Sequence, residues 1–204
     1  NFDTLLAPFI RYDGLTQTAP SATITRTPLC TLIETNAATN AQGRLVSGIL
    51  GTTIDDSTLD WNDSDWEFYS NCELSATTNQ DVFWGFFDRN SAPPDVDATD
   101  TDRHIGFYVQ DATLYASNAN GTTQTKTDIS SGITLTNNNT YRFVYDAGTN
   151  ILFYINDTLV ATHTTNMPTT SVNDDPILIF HIQTAANEAK ILEFKNNYIV
   201  IARD

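Results

Sequence analysis

In the stretch NILFYINDTLVATHTTN, residues 150–166, Ile151, Phe153 and Ile155 alternate with Leu152, Tyr154 and Asn156. Alternation at period two marks a strand with one buried face. Asn156-Asp157 then tolerates the positive φ that a two-residue hairpin corner demands, so a second strand is expected to run back along the first. The same pattern recurs along the chain as short apolar runs between clusters of Asn, Asp, Thr, Gly and Pro. It predicts strands near 4–12, 29–36, 44–54, 65–75, 81–88, 104–110, 113–118, 123–129, 140–146, 151–156, 159–165, 177–184 and 189–202. No long segment shows helical periodicity. Many short strands at close spacing are the signature of a sandwich or barrel.

Three turns are well marked. Gln110-Asp111-Ala112 separates IGFYV from TLYAS, and Asn120-Gly121 is a strong short hairpin signal. Residues 146–150, with Gly148 inside, join YRFVY to ILFYI. The Pro-punctuated stretch 13–28 reads as a surface strap or loop, and the acidic stretch 89–103 as a second loop. The whole of 1–204 is read as one all-β domain, since sandwiches of about 200 residues are common.

Composition sharpens this picture. Twenty Asp stand against five Glu and three Lys, and the formal net charge is −15. Asp, Asn and Thr favour turns and strands, whereas Glu and Lys favour helices. Such a surface repels phosphate backbones and anionic membranes, so no nucleic-acid partner is expected. No apolar run reaches the length of a membrane-spanning helix, so no membrane insertion is expected. The chain begins at Asn1 rather than Met, so it is read as a processed product or an excerpt.

The stretch FWGFFDRN, followed by GFYVQDATLYASNANGTTQTKTDISSGITLTNNNTYRFVYDAGTNILFYINDTLVATHTTNMP, resembles the concanavalin A-like lectin/glucanase jelly roll. More narrowly, it is similar to LamG-like modules of phage structural proteins and bacterial surface proteins. The resemblance covers about residues 44–204 and rests on strands and turns, not on a catalytic motif. It implies a two-sheet antiparallel jelly-roll sandwich, with glycans bound on a concave outer face or at the loops of its rim.

Chemistry-bearing groups are sparse. The glucanase branch of that fold uses a Glu-x-Asp-x-x-Glu strand, and none of Glu34, Glu67, Glu73, Glu188 or Glu193 belongs to one. Glu67 and Glu73 share a strand face by parity, but six residues separate them by about 20 Å. A retaining hydrolase needs its carboxyls about 5–5.5 Å apart. His104, His163 and His181 accompany no Gly-x-Ser-x-Gly elbow. His104 opens a strand beside Arg103, His163 is expected on an exposed strand face, and His181 is expected as a hydrogen-bonded core or subunit-contact residue. No catalytic residue is therefore assigned, and no enzyme is expected. The candidate metal site is Asp95, Asp97, Asp100 and Asp102, four hard oxygen donors of the kind calcium prefers, in a loop that otherwise simply keeps the surface anionic. Cys30 and Cys72 sit in strand-like runs, either as buried free thiols or as a disulfide.

Aromatic residues supply the remaining signal. Val82, Trp84 and Phe86 share one strand face, and Phe83 and Phe87 the other. If the first set is core, Phe83, Phe87, Tyr108 and Tyr154, with Asn156, form a candidate ligand-binding patch suited to sugar stacking. The alternative is that a loop or another subunit covers them. The expected function is a non-enzymatic virion surface protein, a capsid decoration or fibre module, structural and engaged in host attachment. Its partners would be other virion or surface subunits in a homo-oligomer, and a glycan. A secreted carbohydrate-binding module is the alternative, and a glycan hydrolase or lyase a weaker one.

Overall fold

Burial along the strands follows the parity of the sequence. In Asp65–Leu74, Trp66, Phe68, Ser70, Cys72 and Leu74 are buried, while Glu67, Tyr69, Asn71 and Glu73 are half-buried. The computed structural model describes residues 2–5, 22–27, 29–46, 61–62, 65–88, 101–169 and 176–202. These residues form fourteen strands and no helix. They are β1 (Phe2–Leu5), β2 (Thr23–Arg26), β3 (Thr31–Glu34), β4 (Gln42–Val46), β5 (Asp65–Leu74), β6 (Gln80–Asp88) and β7 (His104–Gln110). They continue as β8 (Thr113–Ala119), β9 (Gln124–Asp128), β10 (Asn139–Asp146), β11 (Asn150–Ile155), β12 (Thr158–His163), β13 (Pro176–Thr184) and β14 (Ile191–Ala202).

All pairings are antiparallel. The larger sheet runs β12-β11-β10-β5-β14-β3-β2, with β1 also on β14, and the smaller runs β4-β13-β6-β7-β8-β9. The long β14 pairs with β5 along one side, and with β3 and β1 at successive positions along the other. β2 falls inside the stretch expected to be a strap. Its four residues, between Pro20 and Pro28, are too short to register as a periodic run, and pairing with β3 is what makes them a strand. The other expected strands recur within a few residues where the chain is described.

One apolar core lies between the sheets. Trp66 of the larger sheet meets Phe86 of the smaller edge-on, with ring centroids 4.5 Å apart, and Trp84 meets Tyr141 at 4.8 Å. Phe180 stacks on Phe194 at 3.9 Å. Such ring pairs add to the burial of their large apolar surfaces. β6 departs from simple alternation, since every residue from Val82 to Asp88 is buried. A strand covered on both faces reads as a continuous apolar run, which VFWGFF is.

The hairpin at 150–166 forms as its sequence requires. Asn156 and Asp157 have φ of +49° and +62°, the pair of positive values of a type I′ turn. Asn156 also ties the corner down: its Oδ1 accepts from Thr140 N–H at 2.9 Å, and its Nδ2 donates to Asn139 Oδ1 at 2.9 Å.

Candidate functional site: the outer face of the six-stranded sheet

Directly opposed residues of antiparallel strands project to the same face. Strand register therefore sorts the outer face of the smaller sheet into rows. One row runs Arg44, His181, Phe83, Tyr108, Tyr115 and Asp128 from β4 to β9. Beside it lies Gln42, Gln183, Asp81, Gln110 and Thr113, every member half-buried. On the other side come Ile179, Gly85, Gly106, Ser117 and Lys126, then Ile177, Phe87, His104, Ala119 and Gln124.

Phe83, Phe87, Tyr108, Ile177 and Ile179 form a second apolar cluster on this face, with Tyr115 packed against it. Tyr108 and Tyr115 stack with centroids 6.2 Å apart, and Lys126 Nζ lies 4.2 Å from the Tyr115 ring centroid. Phe83, Phe87 and Tyr108 are all buried within the single chain, Phe87 to 1% exposure. The sequence pattern puts these three rings on one face, and the structure brings them together there, buried within the chain rather than open as a patch.

Tyr154 and Asn156 do not join them. Both belong to the β11–β12 hairpin of the larger sheet, so the expected patch of Phe83, Phe87, Tyr108, Tyr154 and Asn156 is divided between opposite sides of the sandwich. Parity cannot say which sheet a strand joins, and that is why they were grouped. The half-buried Tyr154 ring carries the Arg142 guanidinium 4.0 Å above its centroid, and Arg142 Nη1 reaches Glu67 Oε1 at 3.3 Å. Tyr154→Ser should therefore keep the fold and lose about 1 kcal/mol, chiefly the cation–π contact. Urea denaturation checks this; a loss above about 3 kcal/mol would show that the ring is core.

The three histidines are all buried, and for His163 this corrects the expectation of an exposed face. His163 Nδ1 lies 2.6 Å from Asn118 Oδ1, and its Nε2 lies 2.9 Å from Thr127 Oγ1. Asn118 spends its Nδ2 donors on the carbonyls of Thr165 and Asn166, so its Oδ1 accepts from His163 Nδ1–H. His163 Nε2 then accepts from the Thr127 hydroxyl, joining an edge strand of the larger sheet to β8 and β9 of the smaller. Burial holds its pKa down at about 4. His104 Nδ1–H donates to the Asp102 carbonyl at 2.7 Å, and Nε2 accepts from the Ser117 hydroxyl at 2.7 Å. Ser117 Oγ in turn accepts from Gln124 Nε2 at 3.0 Å. Burial lowers the His104 pKa to about 4 against the opposing backbone bond. His181 is fully buried with neither ring nitrogen hydrogen-bonded, which corrects the expectation of a bonded histidine. Burial, then the nearby Arg44 charge, hold its pKa at about 3.

Asp95, Asp97 and Asp100 of the candidate calcium site lie outside the described residues. Asp102 is half-buried, and its carbonyl is engaged by His104. Among the described residues no group of three or more His, Cys, Asp or Glu could hold a metal ion. Both cysteines are free, so the disulfide reading fails. Cys72 opposes Phe194 of β14, which opposes Thr31 next to Cys30, so a whole strand lies between the thiols. Two strand spacings, about 10 Å, exceed the reach of a disulfide.

Strand pairing also creates a carboxylate pair that no motif announced. Glu73 and Glu193 face each other on the outer side of the larger sheet. Lys195 Nζ binds Glu193 Oε1 at 3.0 Å, and that bond raises the lysine pKa. The Gln42–Gln183–Asp81–Gln110 row was equally invisible, because each residue sits in a different strand and only register unites them.

No family model and no curated protein matches the sequence. Solved structures do match the fold. The carbohydrate recognition domain of Emp47p is similar over 89% of this chain and 86% of its own, at 11% identity and a TM-score of 0.59. The β-glucanase of Bacillus licheniformis is similar over 89% of this chain and 82% of its own, at 10% identity and a TM-score of 0.59. The fold is the concanavalin A-like jelly roll. The alginate lyase of Corynebacterium sp. shares it over 91% of this chain and 83% of that one, at 13% identity and a TM-score of 0.58. Lectins, hydrolases and lyases thus occupy one jelly-roll frame, and function must be argued from the side chains it carries.

Proposed function

We propose that this chain is a non-enzymatic, glycan-recognising jelly roll displayed on the outside of a particle or cell, as a capsid decoration or fibre module of a virion. The observation that carries the reading is the outer face of the six-stranded sheet, where a polar row of amides borders a cluster of aromatic rings. Amides pair with sugar hydroxyls, and the buried rings beside them back the row with a packed apolar cluster. On the outer face of the larger sheet Glu67 is bound to Arg142 and Glu193 to Lys195, and the buried Asp88 at the end of β6 is bound to Arg103. That arrangement suits a scaffold better than a general acid, which needs a carboxyl kept neutral. The virion setting is supported by the resemblance to phage structural modules and by the strongly anionic, lysine-poor composition. In that setting the Tyr154 side of the hairpin meets a neighbouring subunit of a homo-oligomer, and Tyr154→Ser weakens assembly.

A second reading, a glycan hydrolase or lyase, draws on the facing Glu73 and Glu193 and on the glucanase and lyase neighbours. One experiment separates the two. The purified chain is applied to a glycan array and then incubated with β-glucan and alginate. Retention on glycans with no new reducing ends or unsaturated products supports recognition. Turnover abolished by Glu193→Gln would replace it with catalysis.

A further inference from the structure

Deepening the glycan-recognition reading, on which this inference rests, we propose that Gln42, Gln183, Asp81 and Gln110, with His181 beside them, form a subsite for a neutral oligosaccharide laid across the strands.

The four residues stand side by side on β4, β13, β6 and β7, each directly opposite the next. They are therefore spaced by about 4.8 Å, the distance between neighbouring strands. That spacing is close to the repeat of an extended β-linked pyranose chain. All four are half-buried, so they are reachable, while the aromatic cluster in the adjoining rows is sealed. Each glutamine amide both donates and accepts, and the Asp81 carboxylate accepts, which suits hydroxyl pairs that do both. Gln42 Nε2 donates to Gln183 Oε1 at 3.2 Å, a bond that holds two of the amides in orientation before a ligand arrives. In the next row the half-buried Tyr115 is held between Tyr108 and the Lys126 ammonium.

His181 provides the independent observation. It lies two residues before Gln183 on the same face, between Arg44 and Phe83 in register. It is fully buried, and both ring nitrogens lack a hydrogen-bond partner. A buried donor or acceptor left unpaired bears the full penalty of its lost hydration, and a native protein retains such a group for a reason. The indoles of Trp61, Trp66 and Trp84 also lack partners, but they lie in the core between the sheets. His181 faces outward beside the amide row. A neutral imidazole carries one donor and one acceptor, the same complement as a sugar hydroxyl, and because the ring is fully buried the link runs through a bridging water.

The charge of the chain selects the class of glycan. With a formal net charge of −15 and Asp81 within the row, the surface repels polyanionic sugars. A neutral hexose polymer meets no such barrier.

The test measures affinity and melting temperature together, for the best neutral ligand on the array. Gln183→Ala should weaken binding by on the order of tenfold with little change in Tm. His181→Leu should also weaken binding, yet raise Tm, because it removes an unpaired buried polar group without opening a cavity. Gly148→Ala, in the β10–β11 turn of the larger sheet, should leave the affinity unchanged. Wild-type binding retained in both Gln183→Ala and His181→Leu would overturn this subsite while leaving glycan recognition standing. Binding confined to sulfated or uronate-rich glycans would overturn the neutral class. Binding to no glycan would remove both the subsite and the reading beneath it.

Discussion

Acidification from pH 7 to pH 4 is expected to lower the melting temperature steeply, because the fold holds three histidines neutral. In the unfolded chain a histidine takes up its proton near pH 6.5. In the folded protein His104 and His163 resist protonation down to about pH 4, and His181 to about pH 3. Between those limits the unfolded state binds more protons, so stability rises with pH across the window. The contribution is complete above pH 6.5 and is lost progressively as the pH falls toward the folded values. For His104 it amounts to about 3 kcal/mol by pH 4. Relief of repulsion among the acids acts in the opposite sense, but it develops near and below pH 4, where carboxylates begin to protonate. Calorimetry across pH 4 to 7 checks the slope, and His163→Gln should make it shallower. A melting temperature that is flat or rising from pH 6.5 down to 4.5 would contradict the buried neutral histidines.

Gly85→Ala should remove about 3–5 kcal/mol, through strain at a φ that suits glycine and through overpacking. Gly85 has a φ of +152° at the centre of the smaller sheet, opposite Gly106. A Cβ there would strike the Ile105 carbonyl oxygen and approach Gly106 Cα to 2.5 Å. Both obstacles are backbone, so the neighbouring strand would have to move. Gly148 makes a suitable control: its φ is +72°, but a Cβ would meet nothing within 4 Å. Gly148→Ala should therefore cost only about 1 kcal/mol, for φ alone. Urea denaturation of the two variants compares them directly, and a Gly85→Ala loss below about 1 kcal/mol would mean that β6 and β7 are not so closely apposed.

What was legible in the sequence is what a strand encodes locally. Alternation in NILFYIN gave the core side of β11, parity put Glu67 and Glu73 on one face of β5, and Asn156-Asp157 gave a hairpin corner. The apolar run VFWGFF puts Trp84 and Phe86 on one face and Phe83 and Phe87 together on the other, leaving open whether that second face is exposed or covered. Register between distant segments was not legible, and it decides the candidate site. Gln42, Asp81, Gln110 and Gln183 become one row only because β13 pairs with both β4 and β6, and β6 with β7. The same ignorance of pairing grouped Tyr154 with Phe83, which lie on opposite sheets, and left Glu73 and Glu193 unconnected. It also allowed Cys30 and Cys72 to be imagined as partners, although β14 separates their strands. The burial of His163 is hidden for a related reason: an edge strand looks exposed until Asn118 and Thr127 of the other sheet close over its end.

The most direct test of a glycan-recognising jelly roll is chemical-shift mapping during titration with the tightest-binding oligosaccharide. Perturbations are predicted for the side-chain amides of Gln42, Gln183 and Gln110 and for the His181 ring, with the Arg142–Tyr154 side of the molecule silent. Perturbations centred instead on Glu73, Glu193 and Lys195, or no saturable change with any glycan, would contradict it.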